Sequence, residues 1–503
     1  MLRQFSVGIC VLALALASCG QVESADENAE SIATGDAIET ADTFGPIPGP
    51  RTCFWMRGPH SADPYINLAY PDANVFYWAS TFTVPDDAEL RIEGEYPYSR
   101  YMSLISYDER GRPVESLADY LIAPGAAPDG PSSADLAPER KPVRFAWNVA
   151  HAQDVDDNGR SINPFIPGNR RDSKNRDYFV KVVSAAPENE RAIGERTESS
   201  SGNILHVPRY GAGNQQMVLY RIYLPDDRKA PDGGVSLPEP VLVYPDGTEL
   251  RGQDACDKLN SSQPLAISLD AVGVPPSEYR KLINQPDKPD TWPSKIPAEW
   301  FIQLDRESLL GIYTGYTNPD ARRSEGGFYP NLDNHYIRTI INRKHGKVFM
   351  LRGKAPSTPT THKGDMVMGD GELRYWSICS NQGLSNTRVN DCLFDEEIPL
   401  DARGYYTVVI SREEDRPRNA VPECGIGWLP MAEDGDGLFD PDVTVVQIRH
   451  MLTAPDFDHS VQRVFRQENL EKVMGQYLPV SRYGLPNQIE TFFPCMPRSK
   501  SAD

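Results

Sequence analysis

Asp154-Val-Asp156-Asp157-Asn158-Gly159 sets side-chain oxygens at alternate positions and ends on a glycine, the spacing of a calcium loop. Asp154, Asp156 and Asn158 are therefore candidate ligands for Ca2+. Where a complete EF-hand loop carries a bidentate Glu this chain has Phe165, and no helical pattern flanks the segment. The expectation is a looser oxygen cage, in competition with a solvated acidic turn. Asp434-Gly-Asp436-Gly437, followed by Asp440 and Asp442, is a weaker instance of the same chemistry. Anion recognition is the second kind of site. Arg100-Tyr101 and Arg374-Tyr375 stand in similar contexts, with Ser103 and Ser377 two residues after the tyrosines. A guanidinium can grip a carboxylate or phosphate through two parallel hydrogen bonds. Arg100, Tyr101, Arg374 and Tyr375 are thus candidate ligand-binding residues. The competing reading pairs each arginine with a local acid at a strand end.

Covalent catalysis has little to work with. The chain has no Gly-x-Ser-x-Gly elbow and no Ser-x-x-Lys set, so Ser103 and Ser377 read as packing residues. Its eight histidines include no His-Glu-x-x-His; His206 and Trp428 fall at matching places, and His335 and His345 flank a strand. Catalytic residues stay unassigned. A carboxylate pair assembled only in three dimensions remains open among 71 acidic residues. Tyr70, Trp78, Tyr96, Tyr98 and Tyr101 cluster around one hairpin, where rings can stack on a sugar or fill a core.

The N-terminus sets the compartment. Arg3 precedes an apolar run from Phe5 to Ala17, and Leu16-Ala17-Ser18-Cys19 follows. The run is too short to span a bilayer, which takes about 20 apolar residues, and reads as a secretory signal. Small residues before a cysteine resemble the lipobox of bacterial lipoproteins. The resemblance implies cleavage after residue 18 and a diacylglycerol on Cys19, hence attachment to a membrane by acyl chains. Gly20, in place of the Asp that marks inner-membrane retention, implies the outer membrane of the cell envelope. Residues 19–50 carry seven acidic and no basic side chains beyond that signal, and read as a disordered tether. Its reach is roughly 30 Å. Cys53, Cys256, Cys379, Cys392, Cys424 and Cys495 remain, an even number that an exported protein turns into disulfides. Their pairing stays open among fifteen connectivities, though Cys379 and Cys392 are close enough to staple a hairpin. A net charge of −20 disfavours nucleic acid as a partner.

The elements that must position these residues are short strands. The 44 prolines and 38 glycines work against long helices. Tyr70-Pro71, Tyr77, Gly94 and Pro97 recur at one offset as Tyr329-Pro330, Tyr336, Gly353 and Pro356. Arg100 to Ser106 is echoed by Arg374 to Ser380, Tyr178 to Ser184 by Tyr405 to Ser411, and Val218 to Asp226 by Val446 to Asp456. The shared order implies a duplication. The runs are β-branched and aromatic between turn residues, which is strand chemistry. Helical patterns are confined to Pro276–Ile283, Ala298 to Tyr313, and His459 to Met474, where Val461, Val464, Phe465 and Leu470 share a face.

A hairpin, then Arg-Tyr-x-Ser, then a run like Ile-Gly-Trp-Leu-Pro before an Arg-bearing final strand resembles a bacterial jelly-roll domain family of unknown function. The whole chain is similar to hypothetical exported bacterial proteins. That family implies a fold and supplies no catalytic residues. The expected chain is mainly β, with two tandem β-sandwich or jelly-roll-like units and a few short helices. Residues 1–18 are signal peptide, 19–50 tether, 51–235 the first unit, 236–325 a connector with short helices, and 326–495 the second unit with a C-terminal helix. The expected function is a lipid-anchored binding or scaffold module for a carbohydrate, peptide or protein ligand. A carboxylate-based envelope hydrolase and an envelope-assembly component are the alternatives.

Overall fold

Strands of two kinds make up the protein. Asp177–Val183 alternates buried and more exposed residues, whereas Gln216–Pro225 is buried at every position. Because successive side chains point to opposite faces, the first needs cover on one side and the second on both. The structure, a computed structural model, describes residues 53–125, 147, 162–172, 176–186, 203–266, 272–318, 321 and 328–495.

In the N-terminal half, β1 (Arg57–His60), β2 (Val75–Phe82), β8 (Gln216–Pro225), β4 (Ser99–Tyr107) and β5 (Pro113–Ala118) form one sheet in that spatial order. A second sheet runs β10 (Glu249–Leu250), β9 (Glu239–Val243), β3 (Glu89–Glu95), β6 (Asp177–Val183), β7 (Ile204–His206). The C-terminal half has β11 (Phe301–Gln303), β12 (Asn334–Asn342), β18 (Val443–Thr453), β14 (Leu373–Asn381) and β15 (Val389–Phe394) in its larger sheet. Its smaller sheet runs β17 (Gly427–Pro430), β16 (Tyr405–Ser411), β13 (Val348–Lys354), β19 (Val480–Gly484). The two larger sheets share one strand order. The protein is mainly β, built as two sandwich units with a few short helices.

Each unit closes over an apolar core. Trp78, Met102, Leu104, Tyr220 and Ile222 of the first larger sheet meet Leu90, Ile92, Tyr178, Val180 and Leu242. Ile337, Trp376, Ile378 and Ile448 likewise meet Phe349, Leu351, Tyr406 and Val408. The alternate residues of the larger sheets face the other unit. Val75, Tyr77, Tyr101 and Tyr223 pack there with Tyr375, Phe394, Met451 and Leu452. That second layer is why β2, β4, β8, β14 and β18 are buried throughout.

Close approach explains one repeated glycine. Gly94 lies opposite Tyr178 and Gly353 opposite Tyr406 in the strand registers. A Cβ on Gly353 would stand 2.7 Å from the Tyr406 hydroxyl, and one on Gly94 3.0 Å from that of Tyr178. The structural counterpart of Tyr178 is thus Tyr406, one residue beyond the Tyr405 suggested by the sequence repeat.

The stretch 236–325 supplies strands as well as helices. β9 and β10 join the first unit's smaller sheet, and β11 pairs with β12. Helix Pro276–Ile283 starts on its proline, as the sequence pattern implies. The helix expected from Ala298 begins only at Arg306, because Asp305 caps it by accepting the Ser308 N–H at 2.7 Å. Between His459 and Met474 there is no continuous helix but two 3-10 turns, Val461–Arg463 and Gln467–Asn469, before the helix Leu470–Met474. Ser460 Oγ and His450 Nδ1 accept the N–H groups of Gln462 and Val461, and Phe465 is 68% exposed instead of sharing an apolar face. Among the described residues, no helix is long and apolar enough to cross a membrane.

Candidate functional site

Arg100 and Arg374 lie at equivalent strand starts, and both are fully buried between the two units. Arg100 Nη1 sits 3.2 Å from Asp395 and its Nη2 pairs with Glu396, while Nε donates to Thr361 Oγ1 at 2.6 Å. Arg374 Nη2 reaches Asp119 at 3.0 Å and the Phe165 carbonyl at 2.9 Å. The partner acids come from the opposite unit in both cases. Tyr101 OH donates to Asp333 at 2.6 Å and Tyr375 OH to Asp72 at 3.0 Å, again across the junction. These four residues meet carboxylates, as their chemistry implies, and the chain itself supplies them. Ser377 Oγ donates to Asp72 at 2.7 Å.

The remaining sequence candidates are spread out. Asp154, Asp156 and Asn158, and also Cys19, fall outside the described residues. Asp436 Oδ1 accepts the N–H groups of Leu438, Phe439 and Asp440 at 2.8, 2.7 and 3.1 Å, and Oδ2 accepts Tyr279 OH at 3.1 Å. Both its oxygens hold a turn together. The six cysteines form three disulfides, Cys53–Cys256, Cys379–Cys392 and Cys424–Cys495. Asp72 lies near the second of them, but sulfurs bonded to each other are not thiolate ligands. His206 Nδ1 is 3.0 Å from Glu115, and His335 Nδ1 is 3.0 Å from the Val461 carbonyl. Trp78, Tyr96 and Tyr101 are buried, Tyr98 lies under the Arg176 guanidinium at 3.9 Å, and Tyr70 lines a cavity.

That cavity, of about 200 Å³, opens between the two larger sheets. The strand period places its walls. Tyr77, Ala79, Leu219, Arg221 and Tyr223 sit on the outward face of the first unit's larger sheet, and Tyr336, Arg338, Gln447 and Arg449 on that of the second. Tyr70, Phe328, Tyr329 and Asn331 come from the loops that lead into β2 and β12, and Arg57 and His60 from β1. Four guanidinium groups therefore face one space, and no Asp, Glu, Ser, Cys or Lys lines it among the described residues.

Each arginine is held by its neighbours. Arg57 donates to Thr81 Oγ1 at 2.9 Å and to the Gln263 carbonyl at 3.0 Å. Arg338 Nε donates to Gln447 Oε1 at 2.6 Å, and its guanidinium lies 4.7 Å over the Tyr70 ring. Arg449 lies 5.3 Å over Tyr336, and Arg221 is 5.5 and 5.4 Å from the Tyr77 and Tyr107 rings. Burial pushes Arg338 down to about 10, still charged at neutral pH. Burial, with Arg57 and Arg221 nearby, pushes His60 down to about 4, so its ring is neutral there.

No sequence motif marks these arginines. Tyr77 and Tyr336, and Arg221 and Arg449 inside the matched final strands, were visible as repeat markers. Nothing local distinguished them from core residues, since their convergence depends on two sheets facing each other.

No family model matches the chain, and no curated protein matches it. Among solved structures, an uncharacterised protein of Burkholderia cenocepacia is similar at 10% identity and a TM-score of 0.39. That match covers 84% of this chain and 79% of the other. A protein of Vibrio parahaemolyticus is similar at 13% identity and a TM-score of 0.35, covering 82% and 89%.

Proposed function

We propose that this chain is a lipid-anchored protein of the bacterial envelope that holds a small ligand between two copies of a duplicated β fold. The observation that carries the ligand site is the cavity of about 200 Å³, walled by both units and lined by buried arginines, tyrosines and amides. Concave, mostly apolar sites with a few convergent polar groups are where small molecules bind. The shared strand order of the larger sheets, with Tyr77 and Tyr336 opposite Arg221 and Arg449, supports duplication. Three disulfides support an oxidising compartment. The lipobox-like Leu16-Ala17-Ser18-Cys19 supports the anchor. Among the described residues the lining has no Asp, Glu, Ser, Cys or Lys, which favours binding over a carboxylate-based hydrolase.

Native mass spectrometry of protein purified from its own envelope tests the site. The expected spectrum contains a small-molecule adduct that disappears in an Ala79→Trp variant of unchanged melting temperature. Identical spectra for the two proteins would remove the cavity from consideration.

A further inference from the structure

Arg221 and Arg449 occupy the same place in the two larger sheets. Arg449 lies opposite Tyr336 and Ser377, and Arg221 opposite Tyr77 and Ser103. Their electrostatic surroundings differ. Asp72, five residues before Tyr77, crosses the junction to pair with Arg449 Nη1, and Ser377 Oγ and Tyr375 OH donate to the same carboxylate oxygen. Five residues before Tyr336 stands Asn331, not an acid. The second unit's carboxylate sits two residues later, at Asp333, and takes Tyr101 OH and Ser116 Oγ, each at 2.6 Å.

Arg221 is thereby left without a counter-ion among the described residues. Its Nη2 donates to the Tyr329 carbonyl at 2.9 Å, while Nε and Nη1 are buried with no hydrogen-bond partner. Arg338 Nη1 and Arg449 Nε are also buried and unpartnered. All three side chains line the cavity. A buried cation costs free energy unless an anion and hydrogen bonds accompany it. An anionic guest brings both, and carboxylate or phosphoryl oxygens fit the guanidinium fork. An apolar cavity of about 150 Å³ accommodates benzene, so this one has room for a ring and a compact charged substituent.

On the reading of the cavity as the ligand site, we infer that its ligand is a small organic oxyanion: the charged end meets Arg221 and Arg338, and an apolar body lies among Tyr70, Tyr77 and Phe328. The loss of an acid at position 331 prepares that seat. An ordinary ion pair occupies its counterpart at Asp72 and Arg449.

Calorimetric titration of the full mature chain with benzoate, benzamide and benzylamine, probes of one size and three charges, tests this. Benzoate is expected to bind at least tenfold tighter than benzamide, with no heat from benzylamine. Asn331→Asp restores an acid at the position equivalent to Asp72, which pairs with Arg449 in the other sheet. It is expected to collapse the preference for benzoate over benzamide to within twofold while keeping or raising the melting temperature. Arg221→Gln is expected to do the same to the preference. Benzamide binding as tightly as benzoate, or a preference undiminished in Asn331→Asp, overturns the oxyanion and leaves the cavity reading standing. Absence of binding by all three probes overturns the cavity reading as well.

Discussion

Arg100 and Arg374 each donate to the other's main-chain carbonyl, Nη1 of Arg100 at 3.2 Å and Nε of Arg374 at 3.0 Å. The exchange is repeated by their acids. Asp119 Oδ2 accepts the Met102 N–H at 2.8 Å and Asp395 Oδ2 the Trp376 N–H at 3.2 Å, two residues after each arginine. The junction is therefore a buried polar lock. Satisfied networks of this kind fix one arrangement of two surfaces, and a broken one leaves a stranded charge.

Arg374→Ala removes the cation beside Asp119, which is itself fully buried and already pushed up to about 7 by desolvation. Removing one partner of a buried pair costs about 3–5 kcal/mol, and that loss is expected in urea unfolding. Arg374→Met combined with Asp119→Leu strands no charge and is expected to cost less than the single change. A single variant within about 1 kcal/mol of the wild type would show that the Arg374–Asp119 pair contributes little to holding the junction.

The disulfides differ in what they constrain. Cys53–Cys256 spans 203 residues and ties the segment before β1 to the helix Gly252–Lys258, whereas Cys379–Cys392 spans 13 within the β14–β15 hairpin. Loop-closure entropy gives upper estimates of about 5 kcal/mol for the long loop and about 3 kcal/mol for the short one. Paired Cys→Ala variants are expected to lose stability in that order under denaturant. The reverse order would locate the stabilisation in native packing.

Much of the strand framework was legible because its pattern is local. Tyr405–Ser411 and the helix Pro276–Ile283 occur with the bounds read from sequence, and Arg374 to Ser380 lies inside β14. β11 was missed because three residues, Phe301–Gln303, carry no period; its partner β12 defines it. The cavity lining was hidden for a stronger reason. Arg57, Arg221, Arg338 and Arg449 converge from positions almost 400 residues apart, and no local motif joins them. The mismatch of Asp72 with Asn331 was readable from the repeat, but its meaning depends on which arginine each one faces.

Anchoring is tested apart from the fold. If Cys19 carries the lipid, Cys19→Ser moves the protein from the membrane to the soluble fraction of a cell lysate, with melting temperature unchanged once solubilised. The seven acids and absent bases of residues 19–50 give an anionic bilayer no electrostatic grip on the variant. Continued sedimentation of Cys19→Ser with membranes would contradict the acyl anchor.

Acid sensitivity should be traceable to His450. The ring is buried beside Trp376, and its Nδ1 accepts the Val461 N–H at 3.2 Å, so the neutral form is the one built in. Burial pushes it down to about 3 from an ordinary 6.5. Below pH 6.5 the unfolded chain takes up a proton that the folded chain refuses, so this group's contribution is present at neutral pH and lost as pH falls toward 3. The slope is at most about 1.4 kcal/mol per pH unit. Glu397 acts with the opposite sign: burial raises it to about 7, the folded chain keeps its proton longer, and stability is gained as pH falls from 7 toward 4.5. The two effects separate in variants. His450→Gln is expected to lose stability at pH 7, and its deficit relative to the wild type is expected to shrink steadily between pH 6.5 and 4.5 in urea midpoints. A deficit independent of pH would mean that His450 contributes through packing and not through its protonation.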